Sequence, residues 1–201
     1  MIQLPQAVKN LIIINVIFYV ATFYIFDTNM MFEWLALFYP ESPYFKAWQF
    51  ITHMFMHGGF MHIIFNMYAL YAFGSPLEQM WGTKKFLFFY FSAGLGAAAI
   101  YTLANYFFQD VNAVAVGASG AIYGILVAFA MTFPNAKLAL IFFPVPIAAK
   151  YFIPVLIFGD LFFGFTSYSV GNVAHFAHIG GALIGFITML VWRKNQFNRW
   201  N

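Results

Sequence analysis

Six long apolar stretches leave this chain few ways to fold. They run over about 9–26, 51–73, 85–106, 117–133, 149–166 and 175–193. Each is close to the roughly 20 residues that carry a helix across a hydrocarbon core about 30 Å thick. The runs are continuous rather than ten-residue alternations, so helices are expected and a transmembrane barrel is not. Polar and turn-forming residues mark the breaks: Asp27-Thr28-Asn29, Gly74-Ser75-Pro76, Asp110, Pro134-Asn135, Pro144 with Pro146, and Gly171-Asn172.

Composition excludes the main alternatives. Hydrophobic residues make up 63% of the 201 and charged residues 7%, against about 25% charged in a soluble domain. Disorder needs low hydrophobicity, and a nucleic-acid partner needs a dense basic face; a net charge of +3 provides neither. Without cysteine there is no disulfide framework, thiol nucleophile or cysteine metal site. Lys9 ahead of the run from Leu11 imitates a signal peptide. No small-x-small cleavage site precedes Asp27 and more apolar runs follow, so an uncleaved first span is expected.

Lys and Arg orient the spans. With the N-terminus cytoplasmic, the inner segments hold Lys9, Lys84, Lys85, Lys137, Lys150, Arg193, Lys194 and Arg199, and the outer ones only Lys46. Eight against one follows the positive-inside rule. The expectation is an all-α membrane protein: one domain over residues 1–201, a six-transmembrane-helix bundle with both termini cytoplasmic. The first outer loop, about 27–50, carries Trp34, Phe38, Tyr39, Tyr44, Phe45 and Trp48. It is expected to lie partly in the outer leaflet.

Polar side chains inside spans are expensive and point to function. The second span carries His53, His57, His62 and Asn66, the fourth begins Gly117-Ala118-Ser119-Gly120, and the sixth begins Ala174-His175-Phe176-Ala177-His178. At about 1.5 Å per residue, Ser119 lies roughly 22 Å along its helix from Pro134. On the same count His178 lies roughly 22 Å from Arg193, and His62 roughly 20 Å from Ser75-Pro76. All three reference points are cytoplasmic in this topology, so the three side chains share one level, about 8–10 Å below the outer surface. The fourth span is short, which places free helix N–H groups at depth, beside water or protein. Gly120 and Gly124, opposite Ala177, Gly181 and Gly185, form small-xxx-small stripes that permit close helix approach. Facing stripes would bring Ser119 to His178, a nucleophile with a general base. Asp160 falls nearer mid-membrane on this count, so a dyad is expected rather than a triad.

These residues resemble the rhomboid family of intramembrane serine proteases. Gly117-Ala118-Ser119-Gly120 looks like its GxSG motif, Ala177-His178-Ile179-Gly180-Gly181 like its AHxxG motif, His62 to Asn66 like HxxxN, and Glu78 to Gly82 like ExxxG. The likeness covers the chain from about residue 10, in order and spacing. It implies that Ser119 attacks the scissile carbonyl and that His178 takes and returns the proton. The Ser119 N–H, His62 and Asn66 would hold the oxyanion, and Tyr123 would pack on the His178 ring. Gly117, Gly120, Gly124, Gly181 and Gly185 would pack helices. Glu78, pairing locally near the cytoplasmic side, would be structural, as would His57 and Trp48. Trp48-Gln49 departs from the Trp-Arg pair often seen in the family. No seventh span or appended domain is apparent, so a minimal six-helix form is expected.

The resemblance implies no metal or other cofactor, transmembrane proteins as substrates and the lipid bilayer as surroundings. Without an organelle presequence, a bacterial cytoplasmic membrane is the simplest location. Other readings stay open from the residues alone. Ser119 suits plain helix packing, and His62 and Asn66 suit an i, i+4 hydrogen bond. His53 with His57, or His175 with His178, has the spacing of metal ligands, and Asp160 suits a local hydrogen bond or a proton relay.

Overall fold

The computed structural model describes residues 4–108, 113–140, 143–165 and 172–197, which are mostly helical. Helix α1 (Gln6–Val20) continues as a π-helical turn to Ile25. Asp27 then caps α2 (Thr28–Leu35) by accepting from the Met30 N–H at 2.8 Å, which satisfies a first-turn donor. There follow β1 (Leu37–Phe38), α3 (Gln49–Thr52), α4 (Phe60–Ala69), α5 (Ser75–Trp81), α6 (Thr83–Phe108) and β2 (Val114–Ala115). The chain continues through α7 (Ser119–Thr132), β3 (Lys137–Leu140), β4 (Phe143–Ala148), α8 (Ala149–Phe165) and α9 (Asn172–Phe197). Gln6–Ile25, Thr83–Phe107 and His175–Lys194 are long and apolar enough to cross a membrane. Their outer faces expose Ile13, Ile17, Phe107, Phe186 and Val191, side chains that water would not tolerate as a continuous surface. The chain is an integral membrane protein.

α7 is the axis of the bundle, in contact with α4, α6, α8 and α9. Nine of its 14 residues are buried, as befits a helix that is apolar all round. Fourteen residues rise only about 21 Å, less than a hydrocarbon core of about 30 Å. The short fourth span read from the sequence is therefore present, and it begins at Ser119 itself.

Two boundaries differ from the sequence reading. The stretch expected as one span over 51–73 is two pieces: α3 and a 3-10 turn (His53–Phe55) end at Met56, and α4 starts only after Gly59. His53 and His57 thus precede the helix that carries His62. At the other end helix continues through Gly74-Ser75-Pro76, by a π turn (Leu70–Gly74) and then α5. Pro76 has no N–H to give the preceding turn, and the helix takes the wider π form just before it. The break comes at Gly82, whose φ of +78° favours glycine. Pro144 and Pro146 are not in an open loop but in β4, paired antiparallel with β3. A two-stranded sheet is all edge, which accommodates proline. Asp110 and Gly171 lie outside the described residues.

Glu78 pairs locally with Thr83, and also with a distant helix. From α5 its carboxylate accepts from the Ala7 and Val8 N–H groups, each at 2.8 Å, and from the Thr83 hydroxyl at 2.7 Å. It therefore closes the first turn of α1 from 70 residues away, serving as a tertiary cap for free donors and a favourable dipole end. Glu78→Ala would leave two buried N–H groups unpaired, at about 1–3 kcal/mol each. The expected result is a loss on the order of 2–6 kcal/mol, read as a lower midpoint of thermal unfolding in detergent.

The loop over about 27–50 is knit by Gln49, which the sequence reading marked only as a departure. Its buried amide accepts from the Lys46 and Phe38 N–H groups, at 3.1 and 3.4 Å, and donates to the Glu33 and Tyr44 carbonyls, both at 3.0 Å. Trp48 stacks on Trp34 and donates from Nε1 to the Trp34 carbonyl at 2.8 Å. Trp34, Tyr44 and Trp48 are exposed, but Phe38 and Tyr39 are buried in protein. β1 pairs with β2, Leu37 with Ala115 and Phe38 with Val114, so this loop is tied to the segment that leads into Ser119.

Candidate active site

Ser119 opens α7. The preceding segment is fixed by the Gly117 N–H, which donates to the His53 carbonyl at 2.9 Å. Gly117 has φ +123°, and a Cβ there would sit 2.8 Å from Nε2 of His62. It is therefore not one of the helix-packing glycines, as the sequence reading had it. It precedes the helix and leaves room for the His62 ring beside Ser119. The Nδ1 of His62 accepts from the Gly58 N–H at 3.3 Å, so its proton is on Nε2, the edge that faces Gly117.

The other four glycines pack as their spacing predicted. A Cβ on Gly181 would run into the Gly120 carbonyl, and one on Gly185 would lie 2.6 Å from Gly124 Cα. One on Gly124 would lie 2.6 Å from Ala93 Cβ of α6. α7 and α9 thus touch backbone to backbone. Gly96 and Gly180, which the sequence reading passed over, do the same between α6 and α9: a Cβ on Gly180 would lie 2.8 Å from the Gly96 carbonyl oxygen.

This approach brings His178 Nε2 to 2.8 Å from Ser119 Oγ. Tyr123, one helical turn after Ser119, stacks on the His178 ring with centroids 4.3 Å apart and planes within 7° of parallel. Ser119, His178, His62, His53 and Gly117 line one cavity of about 250 Å³. Small side chains, Ala97, Ala98, Ala115 and Ala177, form much of the remaining wall, with Leu37 from the first loop and Tyr101. Asn66 is buried one turn further along α4 but is not among the lining residues. His57 is buried, packs edge-on to His62 with centroids 5.0 Å apart, and has no hydrogen-bond partner among the described residues. The His53 Nδ1 bonds the Gln49 carbonyl at 2.8 Å, a bond within its own turn rather than a link to His57.

The acid the sequence reading set at another depth is beside the base. Asp160 Oδ2 lies 2.8 Å from His178 Nδ1, and Oδ1 lies 2.5 Å from His175 Nδ1. The depth count took α8 to start at the membrane surface, whereas the contact with His178 sets Asp160 at the level of the base. The signal was in the sequence: His175 and His178, one turn apart on one face, with an acid in the neighbouring apolar span. Ligand atoms of Asp160, His175 and His178 fall within 4.8 Å of one another, close enough for a cation. A cation on His178 Nδ1 would oblige Nε2 to carry the proton, and Nε2 could then not accept from Ser119.

The family model of the Rhomboid domain matches residues 44–195. The chain belongs to the rhomboid family. Among its relatives, Presenilin-associated rhomboid-like protein A, mitochondrial, of Danio rerio is 32% identical over 158 residues, which is 73% of this chain and 39% of that protein. Rhomboid protease GluP of Bacillus subtilis is 34% identical over 141 residues, 69% of this chain and 25% of that protein. Rhomboid protein 1, mitochondrial, of Saccharomyces cerevisiae is 31% identical over 144 residues, 68% and 39% of the two chains. This rhomboid therefore spans between a quarter and two fifths of the length of these relatives.

Proposed function

We propose that this rhomboid is an intramembrane serine endopeptidase that hydrolyses peptide bonds in or near the transmembrane segments of other membrane proteins. The observation that carries the reading is the 2.8 Å contact between Ser119 Oγ and His178 Nε2 at the edge of the cavity. Ser119 Oγ attacks the scissile carbonyl as its proton passes to His178 Nε2, and that proton then leaves with the amine as the C–N bond breaks. Water reverses the sequence on the acyl-enzyme. The Ser119 N–H at the start of α7 and His62 Nε2–H, with Asn66 behind it, stabilise the developing oxyanion. The stacked Tyr123 holds the plane of the base.

The same reading covers the rest of the chain. Residues 1–201 form one rhomboid domain of six spans with both termini cytoplasmic, supported by the eight-to-one bias of Lys and Arg. Its partners are transmembrane protein substrates and the bilayer, and its location is a bacterial cytoplasmic membrane. The GluP relative supports a protease, and that relative is bacterial.

A substrate helix hides its carbonyls in intrahelical bonds, so the scissile stretch must unwind before attack. Helix-breaking residues near the bond lower that cost. The alanine-lined cavity favours a small side chain next to the scissile bond. A substrate with Ala there is expected to be cleaved at least tenfold faster than one with Phe, and equal rates would refute the size limit.

The proposal is tested with purified protein in liposomes, a transmembrane substrate and a chelator throughout. Wild type is expected to cleave and Ser119→Ala is not. Equal cleavage by both would remove Ser119 from the reaction. Cleavage by neither, with both folded and several substrates tried, would favour a rhomboid-like protein that binds clients without cutting them.

A further inference from the structure

We propose that Asp160 is a positioning residue for His178 and turns the Ser119–His178 pair into a Ser–His–Asp triad, with His175 anchoring the carboxylate. The inference rests on the serine-protease reading and adds to it a residue from a fourth element, α8.

Each carboxylate oxygen of Asp160 is directed at a different ring. Oδ2 lies 2.8 Å from His178 Nδ1 and Oδ1 lies 2.5 Å from His175 Nδ1. The Asp160 side chain is only 12% exposed, so its hydrogen-bond partners are protein groups rather than bulk water. An ionised carboxylate only accepts. His178 must therefore carry its neutral-state proton on Nδ1, which leaves the Nε2 lone pair facing Ser119 Oγ at 2.8 Å. The opposite tautomer would set a bare Nδ1 against a carboxylate oxygen and aim an N–H at the nucleophile, a geometry with no base. His175 and His178 are three residues apart on α9 and present one face to α8. His175 thus holds Oδ1 and fixes the direction of Oδ2.

In the reaction, His178 Nε2 takes the Ser119 proton as the Oγ–C bond forms and the carbonyl pair moves to oxygen. The imidazolium then lies 2.8 Å from Asp160 Oδ2, which stabilises it. The proton goes on from Nε2 to the leaving amine, and Asp160 gains none at any step. Packing alone would ask less of this site: an apolar residue would suit the membrane interior at least as well.

The experiment compares wild type, Asp160→Asn and Asp160→Leu in liposomes on one transmembrane substrate, with Ser119→Ala as the reference for no reaction. Both Asp160 variants are expected to lose about 10²–10⁴-fold in kcat, with KM within about threefold of wild type. Wild-type kcat in either folded variant would overturn the proposal while leaving Ser119 as nucleophile. Cleavage by Ser119→Ala would instead overturn the protease reading itself. A measurement on the unmodified protein covers the case in which the variants do not fold. The ¹⁵N spectrum of His178 is expected to show Nδ1 protonated and Nε2 bare, and a proton on Nε2 would overturn the proposal.

Discussion

His178→Ala is expected to lower kcat by about 10⁴-fold or more and to leave the fold standing. A serine hydroxyl is a weak nucleophile, and among the described residues the basic atom in contact with Ser119 Oγ is His178 Nε2, at 2.8 Å. Removing the ring takes away the proton acceptor for attack and the proton donor for departure together. The residual rate would come from the α7 N–H groups and from substrate binding, which do not depend on the imidazole. The fold should survive because α9 is held by Gly180, Gly181 and Gly185, and not by His178. Kinetics with one transmembrane substrate, beside thermal unfolding in detergent, checks both halves. Combining His178→Ala with Ser119→Ala should cost little beyond either alone, since the two groups act as a unit.

Gly181→Val is expected to be the most damaging substitution away from the reacting atoms. A Cβ at that position runs into the Gly120 carbonyl, which is backbone and has nowhere to move. Overpacking typically costs about 1–3 kcal/mol. A branched side chain against a carbonyl belongs at the top of that range, so about 3 kcal/mol or more is expected. Any protein that still folds must hold α7 and α9 further apart, which lengthens the Ser119–His178 contact. A displacement of about 1 Å at reacting groups costs on the order of 10²-fold in rate. Gly159→Ala on α8 is the control, since a Cβ there meets nothing within 4 Å. It should be neutral or slightly stabilising, because alanine is the better helix former. Unfolding midpoints and cleavage rates for the pair separate a steric effect from a general intolerance of change.

What the sequence makes legible follows from periodicity and length. The glycine spacing of Gly120–Gly124 and Gly181–Gly185 is a local pattern, and it correctly places α7 against α9. The shortness of the fourth span can be counted, and the level shared by Ser119, His178 and His62 follows from rise per residue. The unseen features depend on contacts between distant segments. Glu78 reaches across the chain to Ala7 and Val8, and nothing in Glu78-Gln79-Met80-Trp81-Gly82 encodes that partner. Gln49 knits the first loop through four backbone groups that become neighbours only after folding. The helix break over residues 56–59 is signalled only by Gly58-Gly59, a pair that marks turns and that the apolar stretches on either side obscure. The β3–β4 hairpin carries two prolines, which read locally as loop. The depth estimate for Asp160 failed because helix length gives depth only when the starting level is known.

The central claim is that Ser119 is the nucleophile and His178 its base, and covalent labelling tests it most directly. Membranes holding the wild-type protein would be treated with a fluorophosphonate, which reacts with activated serines, and the modified residue mapped by mass spectrometry. The account predicts one adduct, on Ser119, at a rate that falls at least 10²-fold in His178→Ala. An adduct elsewhere, or equal labelling of Ser119 with and without His178, would contradict it.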